Sequence, residues 1–327
     1  MQRGSVLALL FVLLAPLLAG CPSAPVVQTP DAQAVVDLGL APPVTLAPAQ
    51  TTTSCLAVDA NAVYWTDQGS GNRVMKVALA GGAPQVLATG GDKPGCVAID
   101  QTNAYYTDGG SATLMKVPLA GGAPAALAQN QHVLPERKPL LASDGSFVYF
   151  ITDVYGDVDA YNNKNAIVRV PVAGGPVEVL VAEVIGDPAG LAVDAANVYF
   201  SDSTGVYAQP KSGAAPLAIP AMSTIHSNSF ATDGVNLVIA EVSAIGQGDL
   251  ALFRTDGNGR TVLSSTLASS LAIDASGVYA KMNNALVRFK LDGSGMATLA
   301  SSAPRAIALD SANIYFTDGA SILKLSK

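Results

Sequence analysis

The side chains able to do chemistry in this chain are few and scattered. Two histidines, His132 and His226, and three cysteines, Cys21, Cys55 and Cys96, are the whole supply of imidazole and thiol. They form no H-x-x-x-H or Cys/His pattern, so a zinc centre is not expected, and no G-x-S-x-G elbow presents a serine nucleophile. Both histidines read as solvated loop residues. Asp153, Asp157 and Asp159 bring three hard oxygen ligands together. Calcium is the cofactor such a set admits, although the spacing lacks the full ligand complement of an EF-type loop. No other cofactor is expected.

The elements that position these residues are set by a repeat. Seven aspartates, Asp59, Asp100, Asp144, Asp194, Asp233, Asp274 and Asp310, each follow an alanine by two residues: Ala57, Ala98, Ala142, Ala192, Ala231, Ala272 and Ala308. Five residues after each aspartate stands Tyr64, Tyr105, Tyr149, Tyr199, Val238, Tyr279 or Tyr315. A period of roughly 36 to 50 residues made of short strands predicts an all-β, seven-bladed propeller with one four-stranded antiparallel blade per repeat. In the first copy Cys55-Leu56-Ala57-Val58 is a nearly all-apolar inner strand and Asp59-Ala60-Asn61 makes the turn. Val63-Tyr64-Trp65-Thr66 is a β-branched and aromatic second strand. The third strand carries a base in six copies, Lys76, Lys116, Arg169, Arg254, Arg288 and Lys324. In an acidic protein each base is expected to pair locally with a strand-end acid. The final copy ends after three strands, and Val44-Thr45-Leu46-Ala47 parallels the fourth strand Gln85-Val86-Leu87-Ala88. An N-terminal strand is therefore expected to complete the last blade and remove free sheet edges.

Cys55 and Cys96 both precede their anchor aspartate by four residues. They should occupy equivalent places on adjacent inner strands, about 6 to 7 Å apart, at the upper edge of disulfide reach. A bond between them suits an oxidising exterior. Export is also what the N-terminus predicts: Arg3, an apolar run from Val6 to Leu18, and small residues before Cys21 read as a secretory signal over residues 1–20. Residues 21–43, rich in Pro and Ala, read as a semi-extended tether, and 44–327 as the propeller. A formal net charge of −7 argues against nucleic acid and anionic lipid as partners.

Leu18-Ala19-Gly20-Cys21 resembles a bacterial lipobox, which implies that Cys21 is acylated and holds the protein on a membrane without a spanning segment. Pro22 after it implies the outer membrane. Tyr64-Trp65-Thr66-Asp67 and its variants Tyr105-Tyr106-Thr107-Asp108, Tyr199-Phe200-Ser201-Asp202 and Tyr315-Phe316-Thr317-Asp318 resemble the YWTD repeats of the LDL-receptor class of propellers. The run Leu286-Val287-Arg288-Phe289-Lys290-Leu291-Asp292-Gly293-Ser294 is similar to the same class and, more loosely, to NHL-type repeats. The resemblance implies the fold and a structural role for the motif residues. It does not imply a receptor role: there are seven anchors where that family has six blades, and one literal YWTD.

Propeller lactonases gather acidic and amide side chains on the central channel to hold a metal. Here the residues leading into the inner strands are Ser54, Gly95, Pro139, Ala189, Asn228, Ser269 and Arg305, a poor oxygen-ligand set. The asymmetry lies in the loops instead. The second-to-third-strand connection is enlarged at Asp153–Asn165 and Ser243–Asp249, and the links between blades at Gln129–Pro139 and Ala218–Ser229. These connections leave one face, which carries His132, Arg137, Tyr155, Tyr161 and His226 and is the expected binding surface. The reading is a lipid-anchored extracytoplasmic binding or scaffolding module for a protein, glycan or envelope ligand, without catalysis. The alternatives are a metal-dependent propeller hydrolase or lyase, and a purely structural envelope protein.

Overall fold

The computed structural model describes residues 36–37, 41–50, 55–69, 71–89, 91–131, 140–153, 164–186, 188, 190–219, 229–242 and 248–327. The chain divides into two units, Met1–Gln33 and Ala34–Lys327, and the second holds every described residue. Cys21 lies outside the described residues.

The first six repeats each fold into one antiparallel four-stranded blade in sequence order, at 56–88, 94–128, 141–185, 191–219, 229–264 and 268–300, and the seventh supplies three strands at 306–326. The first strands of successive blades pack side by side around the ring, and Ala306–Leu309 of blade 7 returns to Leu56–Val58 of blade 1. Side chains alternate across a strand, so each blade offers an apolar face to each neighbour. The core accordingly divides into seven layers, one per interface. Blades 4 and 5 enclose Tyr199, Phe230, Leu237, Ile239 and Phe253, and blades 6 and 7 enclose Tyr279, Leu286, Ile314 and Phe316. Six of the seven inner-strand alanines sit directly across the ladder from the tyrosine of their repeat, as Ala57 faces Tyr64, Ala98 faces Tyr105 and Ala308 faces Tyr315, and in blade 5 Ala231 faces Val238. A larger residue there would collide with a ring that is itself fully packed.

Closure is made by the N-terminal strand Val44–Ala47, which runs antiparallel to Ile322–Ser326 with Val44 opposite Lys324 and Ala47 opposite Ile322. Leu46 and Ala47 are buried with Trp65, Met75, Tyr315 and Ile322 between blades 7 and 1. Just beyond the strand, the Gln50 amide N–H donates to Ala320 O at 2.8 Å, and Gln50 Oε1 accepts the Trp65 indole N–H at 3.1 Å. The clasp therefore reaches both of the blades it joins.

Two further features bear on closure. Val36–Asp37, within the stretch read as tether, forms a short strand parallel to the outer strand Met296–Ala300 of blade 6. Two residues with no periodicity of their own carry no strand signal, so only the waiting sheet edge specifies this pairing. Cys55 and Cys96 form a disulfide between blades 1 and 2, with Cα atoms 5.2 Å apart.

Truncating the clasp tests its weight. Leu46→Ala removes a buried side chain from the closing layer and is expected to cost about 2–5 kcal/mol in urea unfolding, while Val44→Ala, on the exposed side, should leave the midpoint nearly unchanged. Equal midpoints for the two variants would show that the ring does not depend on this strand. Joining residues 41 apart in sequence, the disulfide should contribute about 4 kcal/mol by chain entropy. The unreduced protein should yield neither Cys55 nor Cys96 to alkylation, and labelling of either would remove that contribution.

Candidate binding faces

Strands alternate in direction, so a blade shows two kinds of connection at opposite ends. First-to-second and third-to-fourth turns emerge on one face, here the turn face. Second-to-third loops and links between blades emerge on the other, the loop face.

On the turn face the seven aspartates act as staples. Asp59 Oδ1 accepts the backbone N–H groups of Asn61 and Ala62, both at 2.7 Å, and Oδ2 accepts the Tyr64 hydroxyl at 2.9 Å. The hydroxyl bond recurs from Tyr105 to Asp100 at 2.5 Å and at 2.7 Å in the pairs Tyr149–Asp144, Tyr199–Asp194 and Tyr315–Asp310. Blade 5 has Val238 in place of tyrosine, and Asn236 Nδ2 donates to Asp233 Oδ2 at 3.1 Å instead. In blade 6, Tyr279 shares a hydrogen bond with Ser276 Oγ at 2.7 Å and Lys327 binds Asp274. Burial, then the anchor carboxylate, pushes the Tyr64, Tyr105, Tyr149 and Tyr315 hydroxyls well above the usual phenol range. Burial by itself would raise Asp144, but donation from the Lys211 ammonium, the Phe147 N–H, the Tyr149 hydroxyl and the Ser146 N–H outweighs it and brings the carboxyl to about 2. In Asp100, Asp274 and Asp310 likewise, hydrogen bonds overcome burial and lower the carboxyl. Stapled carboxylates beside neutral phenols build turns and are poorly placed to move protons at neutral pH.

Lys76, Lys116 and Lys324 correct the expectation of local ion pairs, whereas Arg254 keeps one with Asp256 at 3.7 Å. Lys76 Nζ donates across the blade gap to Leu119 O at 2.7 Å, Lys116 to Val172 O at 2.9 Å, and Lys324 to Leu79 O at 3.2 Å. Arg169 does both, pairing with Glu178 at 2.8 Å and donating to Lys211 O at 3.1 Å. Each of these carbonyls belongs to the residue just after the third strand of the next blade, and it needs a donor once the ladder ends. These four bases latch one blade to the next.

Of the residues predicted for the loop face, His132, Arg137, Tyr155, Asp157, Asp159, Tyr161 and His226 lie outside the described residues. The strands beneath them are described. Phe147–Asp153 and Lys164–Pro171 of blade 3 pair as far as Asp153 opposite Asn165, and the fourth strand, Glu178–Ile185, runs for 8 residues where its counterpart in blade 1 has 4. In blade 5, Asn236–Val242 and Gly248–Arg254 pair to Val242 opposite Gly248. Blades 3 and 5 thus extend their strands toward the enlarged connections. Of the residues leading into the inner strands, Gly95 is buried, Ser269 half-buried and Arg305 exposed, while Ser54, Pro139, Ala189 and Asn228 fall outside the described set. Among the described residues no three His, Cys, Asp or Glu side chains gather as a metal site.

One polar network escaped the sequence reading. Glu241, fully buried, takes the place that aspartate holds in other copies, and Arg260 bridges it at 2.7 Å to Asp249 at 2.9 Å. The signal was a glutamate at a position that holds aspartate in four copies, Asp67, Asp108, Asp202 and Asp318.

No protein-family model matches this chain, and no curated protein is similar to it in sequence. Solved structures share its fold. The chain is similar to YCF48 bound to D1 peptide, with a TM-score of 0.66, 14% identity, and 90% of this chain and 99% of the other covered. It is also similar to a chain of a nidogen/laminin complex, with a TM-score of 0.50, 14% identity, and 77% and 86% covered. PorZ of Porphyromonas gingivalis, a surface component of the type-IX secretion system, matches with a TM-score of 0.63 and 11% identity over 87% of this chain and 38% of its own length. At these identities the likeness is one of fold, and it places the chain in the propeller class.

The staples make stability depend on pH at both ends. The anchor carboxyls held below their unfolded values stabilise the fold above about pH 4, and that contribution is lost as pH falls through their folded values, about 2 for Asp144. The tyrosines held above theirs stabilise it below about pH 10, and the loss comes as pH rises beyond that. Melting temperature should be flat from about pH 5 to 9 and fall on both sides. Lys211→Met should melt lower than wild type at pH 7 and converge with it near pH 2. A constant difference across that range would rule out Asp144 as the group that Lys211 acts on.

Proposed function

We propose that this protein is exported, anchored to the outer membrane through acyl groups on Cys21, and serves as a non-catalytic binding or scaffolding propeller. Its partner is a protein or glycan of the cell envelope. The reading rests on where the repeat is regular and where it is not. The recurring polar groups of the framework are consumed internally, carboxylates by turns and tyrosines, bases by carbonyls of the next blade. The enlarged second-to-third-strand connections follow the extended strands of blades 3 and 5. Rigid strands carrying enlarged loops are a common way to present variable contacts. His132, Arg137, Tyr155, Tyr161 and His226 would supply aromatic and cationic anchors there. Calcium on Asp153, Asp157 and Asp159 would order the loop of blade 3. The neighbours support the same use of the fold: one is solved in a complex with laminin, one with a peptide, and one is a bacterial surface component.

Cell fractionation tests the anchor: Cys21→Ser should move the protein from the membrane to the soluble exported fraction, and an unchanged distribution would refute it. Envelope extracts tests the face. Bait with native loops should capture a specific partner that is lost when 153–165 and 243–249 are shortened to blade 1 length. Capture that is indifferent to loop length would move the surface elsewhere on the propeller.

A further inference from the structure

The seven anchor aspartates are alike in sequence but are covered differently. In four blades the residue three after the anchor is asparagine: Asn103, Asn197, Asn236 and Asn313. Asn236 Nδ2 donates to Asp233, Asn313 Nδ2 lies 3.3 Å from both oxygens of Asp310, and Asn197 Nδ2 reaches the Tyr199 hydroxyl at 3.4 Å. Asn103 lies beside its own turn, bonded to Thr102 Oγ1 at 2.7 Å. In blades 3 and 6 that position is Phe147 or Gly277, and a lysine from the next blade covers the carboxylate. Lys211 Nζ lies 2.6 Å from Asp144 Oδ2 and 5.0 Å from the centre of the Tyr149 ring. Lys327 binds Asp274 and lies 5.7 Å from the centre of the Tyr279 ring.

Blade 1 has neither device. Ala62 stands three residues after Asp59, and the place of the covering lysine is taken by Leu119. The equivalence is fixed by backbone contacts. The N–H of Leu119 donates to Thr102 O, that of Lys211 to Ala196 O and that of Lys327 to Ala312 O, each two residues beyond an anchor. The carbonyl of Leu119 accepts Lys76 as that of Lys211 accepts Arg169. A carboxylate offers about four acceptor sites. Asp144 receives Ser146 N–H, Phe147 N–H, the Tyr149 hydroxyl and Lys211, whereas Asp59 receives two N–H groups and the Tyr64 hydroxyl, the same three kinds of donor that Asp194 has in blade 4. At this place a groove of about 580 Å³ opens between blades 1 and 2, lined by Asp59, Tyr64, Lys76, Gln85, Gln101 and Leu119 among others.

We propose that this groove binds a primary alkylammonium group, from a lysine side chain of an extended polypeptide or from a free amine. Asp59 and the Tyr64 ring would make for it the contacts that Asp144 and Tyr149 make for Lys211. The molecule itself demonstrates the chemistry twice, with an ammonium on the anchor carboxylate beside an aromatic face. Lys76 turns its ammonium to Leu119 O as Arg169 turns its guanidinium to Lys211 O, although Arg169 is also paired with Glu178 where Lys76 has Gln85 opposite. A net charge of −7 favours the approach of cations. The groove lies on the turn face, so it is separate from the loop surface and stands or falls without it.

Calorimetric titration of the full chain with N-acetyl-lysine methylamide, a lysine-centred heptapeptide, n-butylamine and the uncharged N-acetyl-norleucine methylamide tests this. Saturable binding of the amines, with none of the norleucine probe, is expected. Leu119→Lys supplies the cover used in blades 3 and 6 and Ala62→Asn the one used in blades 5 and 7, and each should weaken binding by roughly tenfold or more. Ala62→Asn places at that position the residue found in four sister turns, so the test survives if Leu119→Lys fails to fold. A heptapeptide that binds tighter than butylamine identifies a polypeptide source, and equal affinities identify a free amine. No saturable binding up to about 10 mM, or binding untouched by both variants, overturns the proposal.

Discussion

The propeller depends on one recurring problem and its solution: a tyrosine ring buried between blades whose hydroxyl must still find a hydrogen-bond partner. Tyr105, Tyr149, Tyr199 and Tyr315 are fully buried, and an unpaired hydroxyl at that depth would cost about 1–3 kcal/mol. The anchor aspartate supplies the partner and also nucleates the turn, because its second oxygen takes two backbone N–H groups in the same residue span. The alanine opposite the ring leaves the room. Asp, Ala and Tyr are therefore one unit, and each fixes where the others can stand. Where the tyrosine is missing, in blade 5, Asn236 still donates to the carboxylate, as Asn313 does beside Tyr315 in blade 7.

Between blades the constraint changes. A third strand ends in a carbonyl that the ladder no longer satisfies, and a long base from the preceding blade reaches it. These contacts join residues as far apart as Lys324 and Leu79, so they exist only after the ring has closed. Closure is consequently cooperative in a way that a stack of independent repeats is not: the clasp at Val44–Ala47 completes a sheet, buries Trp65 and Tyr315, and sets Lys324 against Leu79. The outer edges are dealt with locally. Bulges interrupt the pairing of third and fourth strands in blades 1, 2 and 3, and Val36–Asp37 covers the edge of blade 6. Kinked or covered edges resist pairing with other chains.

Most of the blade was legible in the sequence because its rules are local. The Ala-x-Asp spacing, the tyrosine five residues on and the glycine turns act within a few residues of each other, and the strand missing from the last copy could be found by matching Val44-Thr45-Leu46-Ala47 to Gln85-Val86-Leu87-Ala88. The bases were misread for the opposite reason. Lys76 has a nearer acid along the chain, but its partner is a backbone carbonyl 43 residues away, a group that every residue owns and that no side-chain pattern marks. Val36–Asp37 was illegible on the same ground, since a two-residue strand takes its structure from the edge it meets. As for the binding surface, loop length pointed to blades 3 and 5, and the extended strands there are the part of that reading the structure describes.

The same distinction separates regular from informative positions. A residue that every copy shares answers a need of the fold, so it says little about a ligand, however chemically able it is. Asp59, Asp100 and their equivalents would pass for acids or metal ligands if met singly, and the repeat strips them of that meaning. Information about function begins where one copy departs from the rule with no internal replacement. Blade 5 loses its tyrosine and recovers a donor from Asn236, and blades 3 and 6 lose the asparagine and recover a lysine from the next blade. Those departures are closed within the fold. Blade 1 loses the asparagine and receives Leu119, while blades 3 and 5 carry loops longer than their turns require. Departures of this second kind leave an acceptor site on a carboxylate, or connections longer than a turn, and they belong to opposite faces of the blades. A propeller whose blades are otherwise self-satisfied can therefore carry two independent contacts, one small and polar on the turn face and one broad on the loop face, without either disturbing the strands between them.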